Sequence, residues 1–73
     1  MSADLTIRLL KSSLQQPVIV KLKGHRSIRG VLVGFDEHLN LVLRSAEFIH
    51  DEQSQDLGEV VLRGDSVIFI SPP

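Results

Sequence analysis

The sequence contains no cysteine, no tryptophan and no tyrosine. Without cysteine, a small domain gains stability neither from a disulfide framework nor from a metal site with thiolate ligands. No apolar run approaches the roughly 20 residues that a membrane-spanning helix needs. Charged residues interrupt the N-terminal segment, so it lacks the apolar centre of a signal peptide; they are Asp4, Arg8 and Lys11. We therefore expect no membrane association and a cytoplasmic location.

Net charge is also nearly absent, at -1, but the charges are unevenly distributed. Residues 1–30 contain six basic residues and one acidic residue, whereas residues 31–73 contain two basic and eight acidic residues. The folded chain could present one basic and one acidic face, or these could be ordinary solvated charges, and the sequence leaves both open. Hydrophobic residues make up 42% of the 73 residues, which favours burial against further subunits.

The pattern of apolar residues predicts one helix followed by five strands. The helix covers about residues 4–13, with Asp4 as its cap, and it ends before Pro17 because the residue preceding proline avoids helical geometry. Its apolar stripe consists of Leu5, Ile7, Leu9, Leu10 and Leu14. The strands lie between about residues 17 and 71, with a loop at 51–56. They are predicted at 18–23, 27–36, 39–44, 59–63 and 66–70.

Two glycines within the second strand, Gly30 and Gly34, predict a bulge or a sharp bend. A helix followed by five strands, one of them strongly bent, is typical of a small, open antiparallel barrel, here a single domain of residues 1–73. The last two strands are apolar and lack edge protection, so they would template aggregation in a monomer. Because these two edges are different strands, their pairing between copies is head-to-tail and is expected to close into a ring.

Two polar stretches, at residues 34–40 and 62–65, follow apolar strands and carry groups that can hold a nucleobase. The first contains His38 and Asn40, which point to one side in extended chain. The second contains Arg63 before a turn at Gly64. Imidazole and guanidinium planes can stack on a base, and a carboxamide can bond to its edge. If the fold joins the two turns, they form a pocket for one unpaired base.

This order of elements and motifs resembles the Sm/Lsm family over nearly the whole chain, and its short loop and tails resemble the archaeal branch. The first signature corresponds to Gly24, Gly30, residues 31–35, Asp36, Asn40 and Leu43. Residues 62–65, followed by Val67 and Ile68, are similar to the second. The resemblance implies the Sm fold, an SH3-like bent barrel behind an N-terminal helix, assembled into a ring of six or seven copies. Seven is typical of archaeal members.

Such rings bind uridine-rich single-stranded RNA at a central pore, one base per subunit, as chaperones or scaffolds in RNA processing. The resemblance implies that His38 and Arg63 cover the two faces of the uracil and that Asn40 bonds its edge. Three residues would support this pocket: Asp36 by orienting Asn40 or the turn, Gly64 within the turn, and Asp65 by holding the loop or through its backbone. Secondary RNA contacts would come from Arg8, Lys11 and Phe35.

Plainer interpretations of the same residues remain open. Asn40 could only cap its turn, Arg63 could only pair with Asp65 or Glu59, and the helix cations could only be solvated. Phenylalanines at 35, 48 and 69 are expected in the core or in subunit contacts. Two positions depart from the family pattern: Leu39 replaces a usual methionine, and Phe35 replaces a common tyrosine and so lacks a hydroxyl for a second RNA contact.

The sequence gives little support for an enzyme or for a bound cofactor. It has no serine beside a plausible base, no phosphate-binding glycine loop, and no partner acid for Asp36 and Glu37. The three histidines lie at least 12 residues apart, which argues against a metal site. The alternative to an RNA-binding ring is an adaptor ring that recruits proteins, including RNA-processing proteins, with RNA binding secondary. The acidic segment at 51–59 favours that alternative.

Overall fold

Helix α1 spans Ala3–Ser12 in the computed structural model, which describes the backbone of residues 3–71 and the side chains of residues 5–71. It begins one residue earlier than predicted, and the predicted cap, the Asp4 side chain, lies outside the described part. Five strands follow, and a short 3-10 helix, Gly64–Ser66, separates the last two. The strands are β1 Pro17–Leu22, β2 Arg26–Phe35, β3 Leu41–His50, β4 Gln53–Leu62 and β5 Val67–Ser71.

All pairings are antiparallel, and the strand order is β4-β3-β2-β1-β5. The predicted fold class is therefore confirmed: an N-terminal helix and a bent five-stranded sheet. Strands β4 and β5 are consecutive in sequence but lie at opposite edges. The 3-10 helix between them rises only about 2 Å per residue. It therefore cannot span the roughly 19 Å between the edges of a flat five-stranded sheet, so the sheet must curl.

The bend is concentrated at β2, as its glycines predict. The register of β2 against β3 shifts between Arg29 and Val31 and again between Leu32 and Gly34. A Cβ on Gly30 would lie 3.1 Å from the Arg44 carbonyl oxygen and 3.2 Å from the Ala46 Cα. Glycine at position 30 thus lets β3 approach β2 closely at the bend.

The core lies on the concave side of the sheet, where alternate residues of the strands are buried. Fully buried side chains include Val18 and Val20 of β1, and Leu32, Leu41 and Leu43 of β2 and β3. The helix contributes little of its predicted stripe. Leu10 is buried and Leu14 is partly buried, but Leu5 and Leu9 are about half exposed. Among residues 5–12 of α1, only one edge of the helix therefore contacts the core.

The predicted loop at residues 51–56 is wrong. Only a tight turn at 51–52 separates β3 from β4, with Asp51 in the left-handed region at φ 57°, and residues 53–56 are paired with β3. Residues 53–59 are all exposed, so this hairpin extends beyond the core and needs no apolar alternation. Its polar composition therefore does not distinguish it from a loop.

Smaller corrections concern the turns. Strand β3 begins at Leu41 rather than 39, because Leu39 takes a left-handed conformation at φ 63° and Asn40 belongs to the turn. Where the sequence predicts a turn at Gly64, the structure has the 3-10 helix Gly64–Ser66. The predicted edges are correct: β4 and β5 are unpaired on one side within the chain, and their exposed apolar side chains include Val61, Ile68 and Phe69. No helix in residues 3–71 is long and apolar enough to cross a membrane.

Candidate nucleic-acid interface

The turn between β2 and β3 is organised by the carboxylate of Asp36. Its Oδ1 accepts hydrogen bonds from the backbone N–H groups of His38, at 2.9 Å, and Asn40, at 3.0 Å. Its Oδ2 accepts a third from Asn40 Nδ2, at 2.9 Å. These hydrogen bonds hold the pKa of Asp36 below its ordinary value, and the bond from the Asn40 side chain has the largest effect. Asp36 is thus directed at its own turn, as expected.

Asn40 joins this turn to the one that follows β4. Its Oδ1 accepts a hydrogen bond from the backbone N–H of Gly64 at 2.8 Å, across 24 residues of sequence. A Cβ on Gly64 would overlap the carbonyl oxygen of His38, so only glycine permits this approach. The condition set by the sequence, that the two turns meet, is therefore fulfilled.

The carboxamide of Asn40 has a fixed orientation. Asp36 Oδ2 can only accept, so it takes a hydrogen from Nδ2, and the Gly64 N–H can only donate, so it faces Oδ1. One N–H and one oxygen lone pair of Asn40 remain for a ligand. The remaining donor and acceptor can bond to a complementary acceptor and donor on the edge of an unpaired base.

His38 and Arg63 flank this carboxamide on the two turns, and both side chains are largely exposed. His38 Nε2 lies 3.6 Å from a Glu37 carboxylate oxygen, and Arg63 Nη2 lies 3.2 Å from Asp65 Oδ2. All four side chains are at least two-thirds exposed. Exposed pairs of this kind contribute little free energy, so both planar groups can turn towards a ligand at small cost.

A depression of about 570 Å³ lies beside Asn40 and Arg63 on the outer face of the sheet. Its floor is apolar: Gly34, Val42 and Val61 are direct neighbours across three strands, and a Cβ on Gly34 would meet nothing within 4 Å. The two valines were not singled out from sequence. Their signal is alternation, because they lie between buried leucines in β3 and between partly buried core residues in β4.

The remaining predicted residues lie in two places. Phe35 lines the depression beside Asn40 while packing against the core. Arg8 and Lys11 are exposed on α1, where Arg8 lies in a groove with Leu5, Leu9 and Ser12 rather than in this depression. Phe35 is therefore grouped with the main pocket and not with the helix cations.

The other two phenylalanines differ from each other. Phe48 packs against the core, as predicted, whereas Phe69 is 55% exposed on the edge strand β5, where a subunit contact would cover it. Among the described residues, no group of three or more His, Asp or Glu side chains is arranged to hold a metal ion.

Comparisons with known proteins agree with this architecture. The model of the LSM domain matches residues 8–72. A protein of Archaeoglobus fulgidus named as snRNP Sm-like is 54% identical over 65 residues, which cover 88% of this chain and 84% of that protein.

Two solved structures are also similar. A heptameric archaeal Sm protein superposes with a TM-score of 0.86 at 44% identity, covering 90% of this chain and 97% of its own. An Sm protein of Pyrococcus abyssii in complex with a uridine heptamer superposes with a TM-score of 0.87 at 43% identity, covering 92% and 96%.

Proposed function

The chain belongs to the LSM-domain, or Sm-like, family, and from this membership we propose that it binds uridine-rich single-stranded RNA in the pore of a homo-oligomeric ring, one base per subunit. Proteins of this family are RNA-binding scaffolds rather than enzymes. We place this activity in the cytoplasm, where the ring acts as a chaperone or scaffold in RNA processing.

The observation that carries this proposal is the position of Asn40. Its carboxamide is held by Asp36 and by the Gly64 N–H, and it keeps one donor and one acceptor free. Uracil offers a matching N–H and carbonyl oxygen side by side on its pairing edge. A side chain whose donor and acceptor cannot exchange places selects a base more strictly than one that can flip.

Stacking supplies the second part of the proposed site. His38 covers one face of the base and Arg63 the other, which replaces the exposed contacts of these side chains with Glu37 and Asp65. Stacking of one base on a planar side chain contributes about 1–3 kcal/mol in single-strand binding proteins. The hydrogen bond from the Gly64 N–H to Asn40 keeps the adjacent Arg63 at the rim of the pocket, and Asp65 holds the Arg63 guanidinium until a base binds.

Ring assembly follows from the unlike edges of the sheet. Strand β5 exposes Ile68 and Phe69, each more than half accessible. Pairing β4 of one copy with β5 of the next covers these side chains and satisfies both edges. We propose seven copies, because a related structure is a heptamer. Repetition of the pocket then adds weak single-base affinities through avidity.

Fluorescence anisotropy tests the proposal with short labelled oligo-U, oligo-A and oligo-C at near-physiological salt. We expect tight binding of oligo-U, and a loss of about fivefold or more in Arg63→Ala and His38→Ala with the sedimentation coefficient unchanged. Arg44→Ala is the matched control, because it removes an exposed guanidinium that lies on β3, outside both turns.

Two results would contradict the proposal. Equal or absent binding of all three oligonucleotides to the wild type would leave the adaptor ring, with protein partners, as the better interpretation. If Arg63→Ala dissociated the ring, Arg63 would be a structural residue and not a base-stacking one.

A further inference from the structure

A pair of stacked rings lies at the far end of β3, away from the turn that carries Asn40. The rings of Phe48 and His50 are nearly parallel, with centroids 6.4 Å apart and an interplanar angle of 27°. They are separated from the turn that carries Asn40 by most of β3, about 25–30 Å of extended strand. Phe48 packs against the core, whereas the His50 side chain is 50% exposed. The core thus holds the Phe48 ring in place, and the accessible His50 ring stacks on it.

Two glutamines border this pair of rings. Gln53 is the direct cross-strand partner of His50, and Gln55 is that of Phe48, so all four side chains share one face of the hairpin. Together with Ser54 they line a groove of about 360 Å³. Within the described part of the chain, neither glutamine carboxamide has a hydrogen-bond partner, so both donors and both acceptors face solvent or a ligand.

We propose that this groove binds one unpaired adenine base of a single-stranded nucleic acid. A base stacks on an exposed imidazole or phenyl ring, and a glutamine carboxamide pairs in bidentate fashion with N6 and N7 of adenine. The groove offers both groups on one rigid pair of strands. This site uses none of the residues of the uracil pocket, so it extends the proposed function without depending on those contacts.

The charges around the groove favour recognition of a base over recognition of phosphate. Asp51 Oδ2 lies 3.6 Å from His50 Nδ1, and Glu52 is next to it on the turn. A cation is also close, because Arg26 is the cross-strand partner of His50 on β2. The mixed charges predict adenine binding with a shallow dependence on salt.

The same groove is a poor anchor for a protein partner. Protein interfaces depend on apolar or aromatic side chains that become buried on association. Here Phe48 is already packed against the core, and the other lining side chains are polar. A docked protein would therefore gain little apolar burial in this groove.

The test is fluorescence anisotropy with labelled oligo-A in the presence of saturating unlabelled oligo-U, so that the uracil pockets are occupied. We expect wild-type protein to bind oligo-A more tightly than oligo-C. His50→Ala should weaken oligo-A binding about fivefold or more, while His50→Phe, which keeps a planar ring, should retain it. The double variant Gln53→Ala/Gln55→Ala should lose the preference for adenine over cytosine.

Two controls make the result specific. His25→Asn removes an exposed imidazole from the neighbouring β1–β2 turn and should leave oligo-A binding unchanged, since asparagine tolerates the left-handed conformation at this position. Arg63→Ala should weaken oligo-U binding and leave oligo-A binding intact, which separates this site from the uracil pocket.

Three results with oligonucleotides would overturn the proposal, as would one with a peptide. These are oligo-A bound no more tightly than oligo-C by the wild type, oligo-A binding unaffected by His50→Ala, and equal losses in His50→Ala and His25→Asn. If a lysine-rich peptide binds in place of oligo-A, the acidic tip of the hairpin is a protein-docking element and the adenine site is wrong.

Discussion

Replacing Gly64 by alanine tests how the two turns of the proposed uracil pocket are held together. The new Cβ would overlap the backbone carbonyl of His38, which cannot rotate away as a side chain can. The turn after β4 must therefore move outward, and the 2.8 Å hydrogen bond from the Gly64 N–H to Asn40 Oδ1 breaks. Asn40 then loses one of the two groups that fix its orientation and keeps only its bond to Asp36.

The loss of stability expected for Gly64→Ala can be compared with that for the same substitution at two other glycines. Loss of the hydrogen bond costs about 1 kcal/mol, and overpacking against a fixed backbone costs about 1–3 kcal/mol. For Gly30→Ala the nearest contacts are 3.1–3.3 Å, so small shifts suffice and we expect about 1 kcal/mol. For Gly34→Ala nothing lies within 4 Å, and we expect a change within about 0.5 kcal/mol.

Thermal unfolding followed by circular dichroism, at equal subunit concentrations, gives the order of stability, and each 1 kcal/mol shifts Tm by about 4–8 °C in a domain of this size. Gly64→Ala should also lose oligo-U affinity, since it displaces Arg63. Gly34→Ala should fold and assemble as the wild type does. A Gly64→Ala protein as stable as the wild type, or a Gly34→Ala protein equally damaged, would refute the reasoning.

Three further predictions concern single side chains. Wild-type stability should fall as pH drops below about 4, because protonation of Asp36, whose pKa is lowered in the folded chain, removes its hydrogen bonds to Asn40. In melting curves recorded at a series of pH values, Tm should depend less on pH for Asp36→Asn than for the wild type. The same pH dependence in both proteins would contradict this. Asp56→Lys should raise the free energy of unfolding by about 0.2–1 kcal/mol, because Asp56 lies directly opposite Glu47, and a drop in Tm would refute the cross-strand repulsion. Gln15→Gly should raise the free energy of unfolding, measured in urea, by about 0.5 kcal/mol, since Gln15 has φ 64° and glycine adopts this conformation without strain. A destabilised variant would show that the strain at Gln15 is negligible.

The strands that bury one face against the core could be predicted from sequence. Alternation in β1 and the glycines of β2 give the strand and its bend directly, because half of each strand must face the core. The β3–β4 hairpin could not be predicted, because residues 53–59 are exposed on both faces and their pattern carries no period. Backbone pairing alone defines those strands.

The candidate site, too, could be predicted from sequence only in part. Its residue types are visible in the two turns, and the sequence predicts His38, Asn40 and Arg63 there. The contact between Asn40 and Gly64 depends on the curl of the sheet, which local sequence does not encode. Nor could the sequence show that Phe48 and His50 stack, since their relation depends on the strand pairing at the predicted loop.

The short connection at residues 63–66 fixes how the two edges of the sheet are oriented. It links β4 to β5, the two edges through which neighbouring copies are proposed to meet, and the backbone N–H of Lys23 donates to the Ser66 carbonyl oxygen to anchor it at 3.3 Å. Its conformation therefore sets the angle between the edges, and that angle determines how many copies close a circle. Because Arg63 and Gly64 belong to this connection, the group proposed to hold the base and the geometry that would set the diameter of the proposed pore lie in the same four residues.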